Sequence, residues 1–187
     1  MDGPGLGERP VGLSRRARRR HLVLVGLMGS GKTTVGRRVA AVTGRPHLDS
    51  DPWVRHRARN GSRALAAADP IRLHALEWRH LREALASAYP AVVSAAASVA
   101  DSPRTRHLLA PALVVWLRAP VDALAARPAT ADRPRPEDLG ESIAAQAARR
   151  HPVYRALADH VVDTGSAAPA ASAARVAGLL LREETAF

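Results

Sequence analysis

The chain has 187 residues, of which 47% are hydrophobic and 3% aromatic, and its formal net charge is +11 at pH 7. This length is typical of one domain with its own core, and the few aromatic residues predict a core of leucine, valine and alanine. The absence of cysteine excludes disulfides, thiolate metal sites and cysteine nucleophiles, and it fits a reducing compartment, so we expect a cytoplasmic protein. No apolar run reaches the roughly 20 residues that a membrane span needs, so we expect no membrane association.

Part of the positive charge lies at the N-terminus, where residues 1–20 hold six arginines against Asp2 and Glu8. We interpret residues 1–20 as a disordered, Arg-rich tail and residues 21–187 as a single domain. A basic chain can bind nucleic acid, but every cation here is arginine except one lysine, Lys32. A general bias toward arginine explains the charge, so we do not expect nucleic acid as a partner, and the single lysine marks a position where its chemistry is needed.

Short apolar stretches alternate with helical periodicity along the rest of the chain. The predicted strands are residues 21–25, 46–49, 91–95, 113–117 and 160–162. The predicted helices are residues 33–43, most of 51–88 with breaks near 60–61 and 69–70, 103–110, 121–126, 139–157 and 170–184. Residues 127–137 are rich in proline and arginine, which predicts an exposed mobile loop. Strands that alternate with helices predict an α/β fold, with a five-stranded parallel sheet flanked by helices.

The strongest motif is a phosphate-binding loop (P-loop), since residues 26–33 read GLMGSGKT and match G-x-x-x-x-G-K-[ST] in full. Its glycines let the backbone approach phosphates, and the following helix turns its positive end toward the same anion. The motif places Lys32 at the β- and γ-phosphates and the Thr33 hydroxyl on magnesium. The expected nucleotide-binding residues of this stretch are Gly26, Leu27, Met28, Gly29, Ser30, Gly31, Lys32, Thr33 and Thr34.

Three stretches together resemble shikimate kinase, a family of small P-loop enzymes with a fold like that of nucleoside monophosphate kinases. They are GLMGSGKTTVGRRVA from residue 26, HLDSD from residue 47 and RHPVYRALADHVVDT from residue 150, and the similarity spans about residues 21–184. The Asp-x-Asp and Arg-x-Pro-x-Tyr patterns are more specific than the P-loop. The resemblance implies transfer of a phosphoryl group from ATP, with Mg²⁺, to the 3-hydroxyl of shikimate. It also implies acceptor-binding helices at about residues 51–88 and a closing lid at about residues 127–137.

The resemblance assigns metal-binding and catalytic roles outside the P-loop. Asp49 would hold magnesium, and Asp51 would bind acceptor hydroxyls and act as the candidate base. Because Pro52 follows Asp51, an alternative is that Asp51 only caps a helix. Arg133, in the lid, would stabilise charge on the transferring phosphoryl group.

Other matches concern binding of the two substrates. Arg150 corresponds to the arginine that grips the shikimate carboxylate. Arg127 and the loop of residues 164–169, including Pro169, correspond to adenine-binding positions.

Two departures from the family pattern fall on the acceptor side. Where the family has Phe-Arg-x-x-Glu, this chain keeps Glu77 but has His74 for the arginine, and imidazole pairs with a carboxylate less well than guanidinium does. Where the family has three glycines after the third strand, an ungapped alignment places Ala96, Ala97 and Ser98. Each adds a Cβ to the expected acceptor wall, and a position that needs φ > 0 would be strained by about 1 kcal/mol.

These departures leave the acceptor open. One hypothesis is a shikimate kinase with an altered pocket, and a second is a kinase of this fold for another polyol, sugar acid or cyclitol. A third is a nucleotide-binding protein without phosphoryl transfer, which the retained Asp51 and lid argue against. We expect ATP and a small hydroxylated, carboxylate-bearing acceptor as partners, Mg²⁺ as cofactor, and a monomer.

Overall fold

The buried apolar stretches of the sequence form the strands of one sheet. The computed structural model describes residues 21–58, 65, 69–127 and 142–185. The strands in this part of the chain are β1 (Leu22–Val25), β2 (His47–Asp49), β3 (Val92–Ser94), β4 (Leu113–Arg118) and β5 (His160–Asp163). They pair in the order β2-β3-β1-β4-β5, and every pair is parallel. The predicted five-stranded parallel sheet is therefore confirmed.

Helices connect the strands and cover both faces of the sheet. The described helices are α1 (Lys32–Thr43), α2 (Ser50–Arg57), α3 (Pro70–Leu85), α4 (Thr105–Leu109), α5 (Val121–Ala126), α6 (Ile143–Leu157) and α7 (Pro169–Thr185). The predicted helices correspond to these within a few residues at each end, except that most of residues 59–68 lies outside the described residues and its predicted helix stays a prediction. Helix α6 begins later than predicted because the Ser142 side chain caps it, accepting a hydrogen bond from the Ala145 backbone N–H at 3.2 Å. No described helix is long and apolar enough to cross a membrane.

One element was not expected from the sequence. After β3 the Ala95 N–H still bonds to the Leu24 carbonyl at 3.1 Å, and the chain then turns into a 3₁₀ helix, Ala97–Asp101. The small residues that resembled the end of a strand therefore form a tight turn between the sheet and α4. This turn brings residues 96–101 between α3 and α6.

The core lies on the two faces of the sheet. Alternate residues of β1 point to opposite sides, so that Val23 and Val25 join one buried cluster while Leu22 and Leu24 join the other. The core consists largely of leucine, valine and alanine, as predicted. Two aromatic residues add to it, since Trp116 is 2% exposed and Tyr154 is 0% exposed.

The parallel topology decides where a ligand binds. All strands run in one direction, so the segments that follow β1, β2 and β3 emerge at the same edge of the sheet. Ligands of open α/β sheets bind at this carboxyl edge. The P-loop, the Asp-x-Asp pattern and the 3₁₀ helix are these segments.

Some sequence predictions fall outside the described residues. The proposed tail, residues 1–20, lies outside them, and so does most of the proposed lid, including Arg133. The boundaries of the tail and the lid stay predictions.

Candidate active site

The P-loop has the backbone geometry of a phosphate cradle. Gly26, Gly29 and Gly31 have φ values of 145°, 83° and 97°, which side-chain-bearing residues rarely adopt. A Cβ on Gly26 would also lie 2.5 Å from the Leu117 carbonyl oxygen. Gly31 precedes α1, and no side chain caps this end of the helix. The first N–H groups of α1 are therefore suited to bind an anion.

Lys32 is held inside this loop. Its ammonium group donates hydrogen bonds to the carbonyl oxygens of Gly26 and Leu27, both at 2.9 Å. Burial lowers the pKa of Lys32, and the negative charges of Asp51 and Asp49 act in the opposite direction. The lysine therefore lies close to both aspartates of the Asp-x-Asp pattern.

The opposite side of the P-loop is tied to Arg127 and the end of β5. Arg127 donates hydrogen bonds to the Gly29 carbonyl and, at 3.0 Å, to the Thr164 carbonyl. The Thr164 hydroxyl donates to the Ser30 carbonyl at 2.9 Å. Pro169 is exposed at the first position of α7, after the loop that Thr164 begins. The two positions that the resemblance assigns to adenine, Arg127 and the 164–169 loop, are thus neighbours of the phosphate loop.

Asp49 ends β2 and has one carboxylate oxygen without a partner. Its Oδ1 accepts a hydrogen bond from the Asp51 N–H at 3.1 Å, whereas Oδ2 is buried and has no hydrogen-bond partner among the described residues. His47 Nε2 lies 3.9 Å from Oδ2, too far for a hydrogen bond, and burial lowers the His47 pKa, so its imidazole is largely neutral at pH 7. A buried carboxylate without a partner is costly. The unpartnered Asp49 oxygen is therefore suited to a cation, and magnesium takes oxygen ligands.

Asp51 lies in the first turn of α2 with an exposed side chain. The helix is capped by Asp49 rather than by Asp51, so the capping alternative for Asp51 is wrong. Asp51 lies close enough to Lys32 for its negative charge to act on the pKa of the lysine. The Asp49 cap fixes the backbone that carries the Asp51 carboxylate.

The acceptor side contains a second carboxyl group, Glu77 on α3. Ser98 in the 3₁₀ helix donates a hydrogen bond to Glu77 Oε2. Burial raises the pKa of Glu77 to about 7, the bond from Ser98 works against this rise, and the nearby charge of Asp51 adds to it. His74 lies one turn earlier on the same helix and is exposed. Glu77 is therefore shared between its protonated and ionised forms near neutral pH.

The raised pKa of Glu77 makes a prediction about stability. The folded protein holds this proton up to about pH 7, whereas the unfolded chain releases it near its ordinary value of 4.5. The protonated Glu77 stabilises the folded protein fully below pH 4.5, and this stabilisation is lost as the pH rises through 7. The loss lowers the free energy of unfolding by up to about 3 kcal/mol. Glu77→Gln should remove this loss, so its stability relative to the wild type should increase between pH 5 and 8 in urea unfolding. Parallel pH profiles of the two proteins would contradict the assignment.

The three residues aligned with the family glycines have ordinary backbones. No non-glycine residue among those described has a positive φ, and Ala96 has φ −61°. The strain that these substitutions would cause at φ > 0 is therefore absent. Ala96 is buried in the core, whereas Ala97 and Ser98 are partly exposed beside α3. The Tyr154 hydroxyl fixes the turn by donating to the Ala97 carbonyl at 2.8 Å.

Arg150, on α6, has a buried guanidinium whose three nitrogens are all bonded. Nε donates to Asp101 Oδ1 at 3.0 Å and one terminal nitrogen donates to Asp101 Oδ2 at 2.6 Å. The other terminal nitrogen donates to Gln146 Oε1 at 2.8 Å. Arg149 also pairs with Asp101. The arginine assigned to an acceptor carboxylate is thus already bound to a carboxylate of its own chain.

Asp101 is the site residue that the sequence patterns did not indicate. In the sequence it is followed by Ser-Pro, and aspartate before such a pair is usually read as a turn residue. A signal was nevertheless present in the sequence. The resemblance places this segment beside an acceptor that carries a carboxylate, and an acidic residue such as Asp101 is unexpected there. Burial acts to raise the Asp101 pKa, but the hydrogen bonds and charge of Arg150, with the charge of Arg149, outweigh it and the pKa is lowered.

Comparison with known proteins identifies the family of this chain. Residues 28–180 match the family model described as shikimate kinase. A shikimate kinase of Rhizobium leguminosarum bv. trifolii is 38% identical over 142 residues, which is 72% of this chain and 71% of that protein. The chain belongs to the shikimate kinase family. It is accordingly a small-molecule kinase, a phosphotransferase with an alcohol group as acceptor.

Further relatives of this shikimate kinase family member agree in sequence and in fold. A shikimate kinase of Rhizobium meliloti is 34% identical over 151 residues, covering 76% of this chain and 78% of that protein. The structure of a shikimate kinase from Acinetobacter baumannii in complex with shikimate superposes with a TM-score of 0.77 at 26% identity. The superposition covers 89% of this chain and 97% of that structure. The sheet and helices described above are therefore those of the shikimate kinase P-loop fold.

Proposed function

We propose that the protein transfers the γ-phosphoryl group of ATP, with Mg²⁺, to a hydroxyl group of a small polyhydroxylated acceptor. The observation that carries this proposal is the convergence of the P-loop, Asp49 and Asp51 at one edge of the sheet, with Lys32 in charge interaction with both aspartates. Shikimate, phosphorylated at its 3-hydroxyl, is the first candidate acceptor because the relatives of this chain are shikimate kinases.

Each group at the sheet edge has a chemical part in this reaction. The P-loop N–H groups and Lys32 bind the phosphates and stabilise the charge that develops on the transferring group. Asp51 orients the acceptor hydroxyl and accepts its proton. Asp49 and Thr33 are the residues that would hold magnesium, which neutralises phosphate charge when it is bound. Arg133, outside the described residues, remains proposed as the lid arginine.

A second candidate acceptor is another polyol, sugar acid or cyclitol. The pairing of Arg150 with Asp101 favours this candidate, because the edge of the guanidinium that Asp101 occupies is not available to an acceptor carboxylate without the loss of an internal ion pair. The Cβ atoms of Ala97 and Ser98 also reduce the space beside α3 relative to glycine.

ADP release tests the proposed function. The protein, supplied with ATP and Mg²⁺, is assayed against shikimate, quinate, gluconate and a set of cyclitols. We expect ADP release that saturates with at least one acceptor and disappears without magnesium. ATP binding without release of ADP for any acceptor would contradict the proposal and would leave a nucleotide-binding protein.

A pocket variant tests the alignment of the acceptor wall. The combination of His74→Arg, Ala96→Gly, Ala97→Gly and Ser98→Gly should lower the KM for shikimate by about tenfold or more, because it adds a charge-assisted donor and removes three Cβ atoms. His74→Arg alone is the control that separates charge from space. Because Ala96 is part of the core, the unfolding midpoint of each variant is measured first. An unchanged KM in the folded variant would mean that the wall is misaligned.

A further inference from the structure

We propose that Asp101 takes the place of an acceptor carboxylate on Arg150, so that the acceptor site selects uncharged polyhydroxylated molecules over their carboxylate counterparts. This inference rests on the proposed kinase function and specifies its substrate class. It makes Asp101 a specificity-determining residue, although Asp101 has no part in the transfer of the phosphoryl group.

The first support is the completeness of the Arg150 contacts. Asp101 binds the guanidinium through both oxygens, at 3.0 and 2.6 Å, and Gln146 binds the remaining nitrogen at 2.8 Å. The Arg150 side chain is 8% exposed and the Asp101 side chain 22% exposed. Bidentate arginine–carboxylate pairs are the strong kind of charge-assisted hydrogen bond, and a buried one is costly to break. A carboxylate on the acceptor would have to displace Asp101 to form a bidentate pair along the edge made by Nε and one terminal nitrogen.

The second support is the way Asp101 is held. It is the last residue of the 3₁₀ helix, and that helix is anchored by side chains from outside it. Tyr154 donates to the Ala97 carbonyl at 2.8 Å, and Thr105 donates to the Val99 carbonyl at 2.6 Å. Arg149 pairs with Asp101 as well. The Asp101 carboxylate is therefore fixed on Arg150 by the fold, and its displacement would cost contacts with two arginines.

The third support is the charge of the acceptor side. Glu77 lies near Asp51, Asp101 and Arg150, since the charges of all three act on its protonation, and Asp101 is paired with Arg150. An acceptor with a carboxylate would add a further negative group beside Asp101 and the partly ionised Glu77, and like charges at short range are unfavourable. An uncharged polyol instead offers hydroxyl donors to carboxylates that accept them. The described residues thus favour an acceptor without a negative charge.

The test uses acceptor pairs that differ in charge and little else, with ATP and Mg²⁺ in excess. The pairs are shikimate with its methyl ester, and gluconate with glucitol. For the wild-type protein we expect kcat/KM to be higher for the uncharged member of each pair, by about tenfold or more. Preference for the carboxylate members would overturn the inference while leaving the kinase function intact.

Variants at position 101 test the cause of this preference. Asp101→Asn keeps the shape of the side chain and removes its charge, and Asp101→Ala vacates the space. Both should shift the kcat/KM ratio toward the carboxylate acceptors by about ten- to a hundredfold, because Arg150 then lacks its anion. Glu83→Gln is the matched control, since Glu83 forms an exposed pair with Arg79 on α3. An unchanged ratio in folded Asp101 variants would overturn the inference.

A binding measurement separates failure of the inference from failure of the proposed function. Thermal unfolding is recorded for the wild type and Asp101→Ala, with and without shikimate. A concentration of about 10 mM is used so that even a weak complex is populated. Shikimate should raise the midpoint of the variant and leave that of the wild type nearly unchanged. If no acceptor supports ADP release, the proposed function fails and these midpoints still decide the inference. Equal stabilisation of both proteins by shikimate would contradict the inference. If Asp101→Ala does not fold, the comparison of charged and uncharged acceptors with the wild-type protein decides alone.

Discussion

Lys32→Ala is expected to abolish phosphoryl transfer, with kcat reduced about 10³-fold or more. Lys32 is the only lysine of the chain, and its ammonium lies within the P-loop, 2.9 Å from the carbonyl oxygens of Gly26 and Leu27. Alanine leaves the glycine cradle and the start of α1 in place but removes the one mobile charge that can follow the phosphate as it moves to the acceptor. ADP release at saturating ATP and acceptor measures the effect.

A nearby cation serves as the control for Lys32. Arg38 lies on the exposed face of α1 and donates a hydrogen bond to the Thr34 carbonyl at 3.4 Å. Arg38→Ala removes the same formal charge from the same helix and should leave kcat close to that of the wild type. The unfolding midpoint of Lys32→Ala should not fall, because burial disfavours the charged form of the lysine and lowers its pKa despite the nearby aspartates. Turnover of Lys32→Ala at the wild-type rate would exclude the P-loop from catalysis.

The nucleotide half of the site could be predicted because its signals are contiguous in the sequence. The P-loop is one eight-residue motif, and its glycines are required by positive φ angles that leave few alternatives. The strands were equally readable, because parallel strands buried on both faces are nearly continuous apolar runs. For the P-loop and the strands, the residue types that the local backbone needs are also those that the tertiary structure needs.

The acceptor half depends on contacts between residues that are distant in the sequence. Asp101 and Arg150 are separated by 49 positions, and their pairing requires the 3₁₀ helix, which has no clear sequence signal. Ser98 and Glu77 meet for the same reason, across 21 positions. The acceptor-side role of Arg150 stays a prediction, and the sequence could not reveal that Asp101 would pair with it. The contacts around Glu77 and Arg150 arise from packing between α3, the 3₁₀ helix and α6.

Asp51→Asn is expected to reduce kcat by about 10²- to 10⁴-fold, the usual contribution of a general base. Asparagine keeps the size of the side chain and its ability to accept a hydrogen bond from the acceptor, but it cannot take up the proton of the hydroxyl. The backbone at position 51 should be unaffected, because the Asp49 carboxylate accepts from the N–H of residue 51 at 3.1 Å. The affinity for ATP should therefore change little, while the rate of transfer to the acceptor falls.

Asp122 provides the matched control for Asp51, since it is also an exposed aspartate in the first turn of a helix, α5. Asp122→Asn should have wild-type kcat, which separates loss of the base from loss of a negative charge at a helix N-terminus. If Asp51→Asn retained wild-type kcat, the proton would have to pass to another group. Glu77, whose pKa is raised to about 7 and which interacts with Asp51, would then be the carboxyl group to replace next.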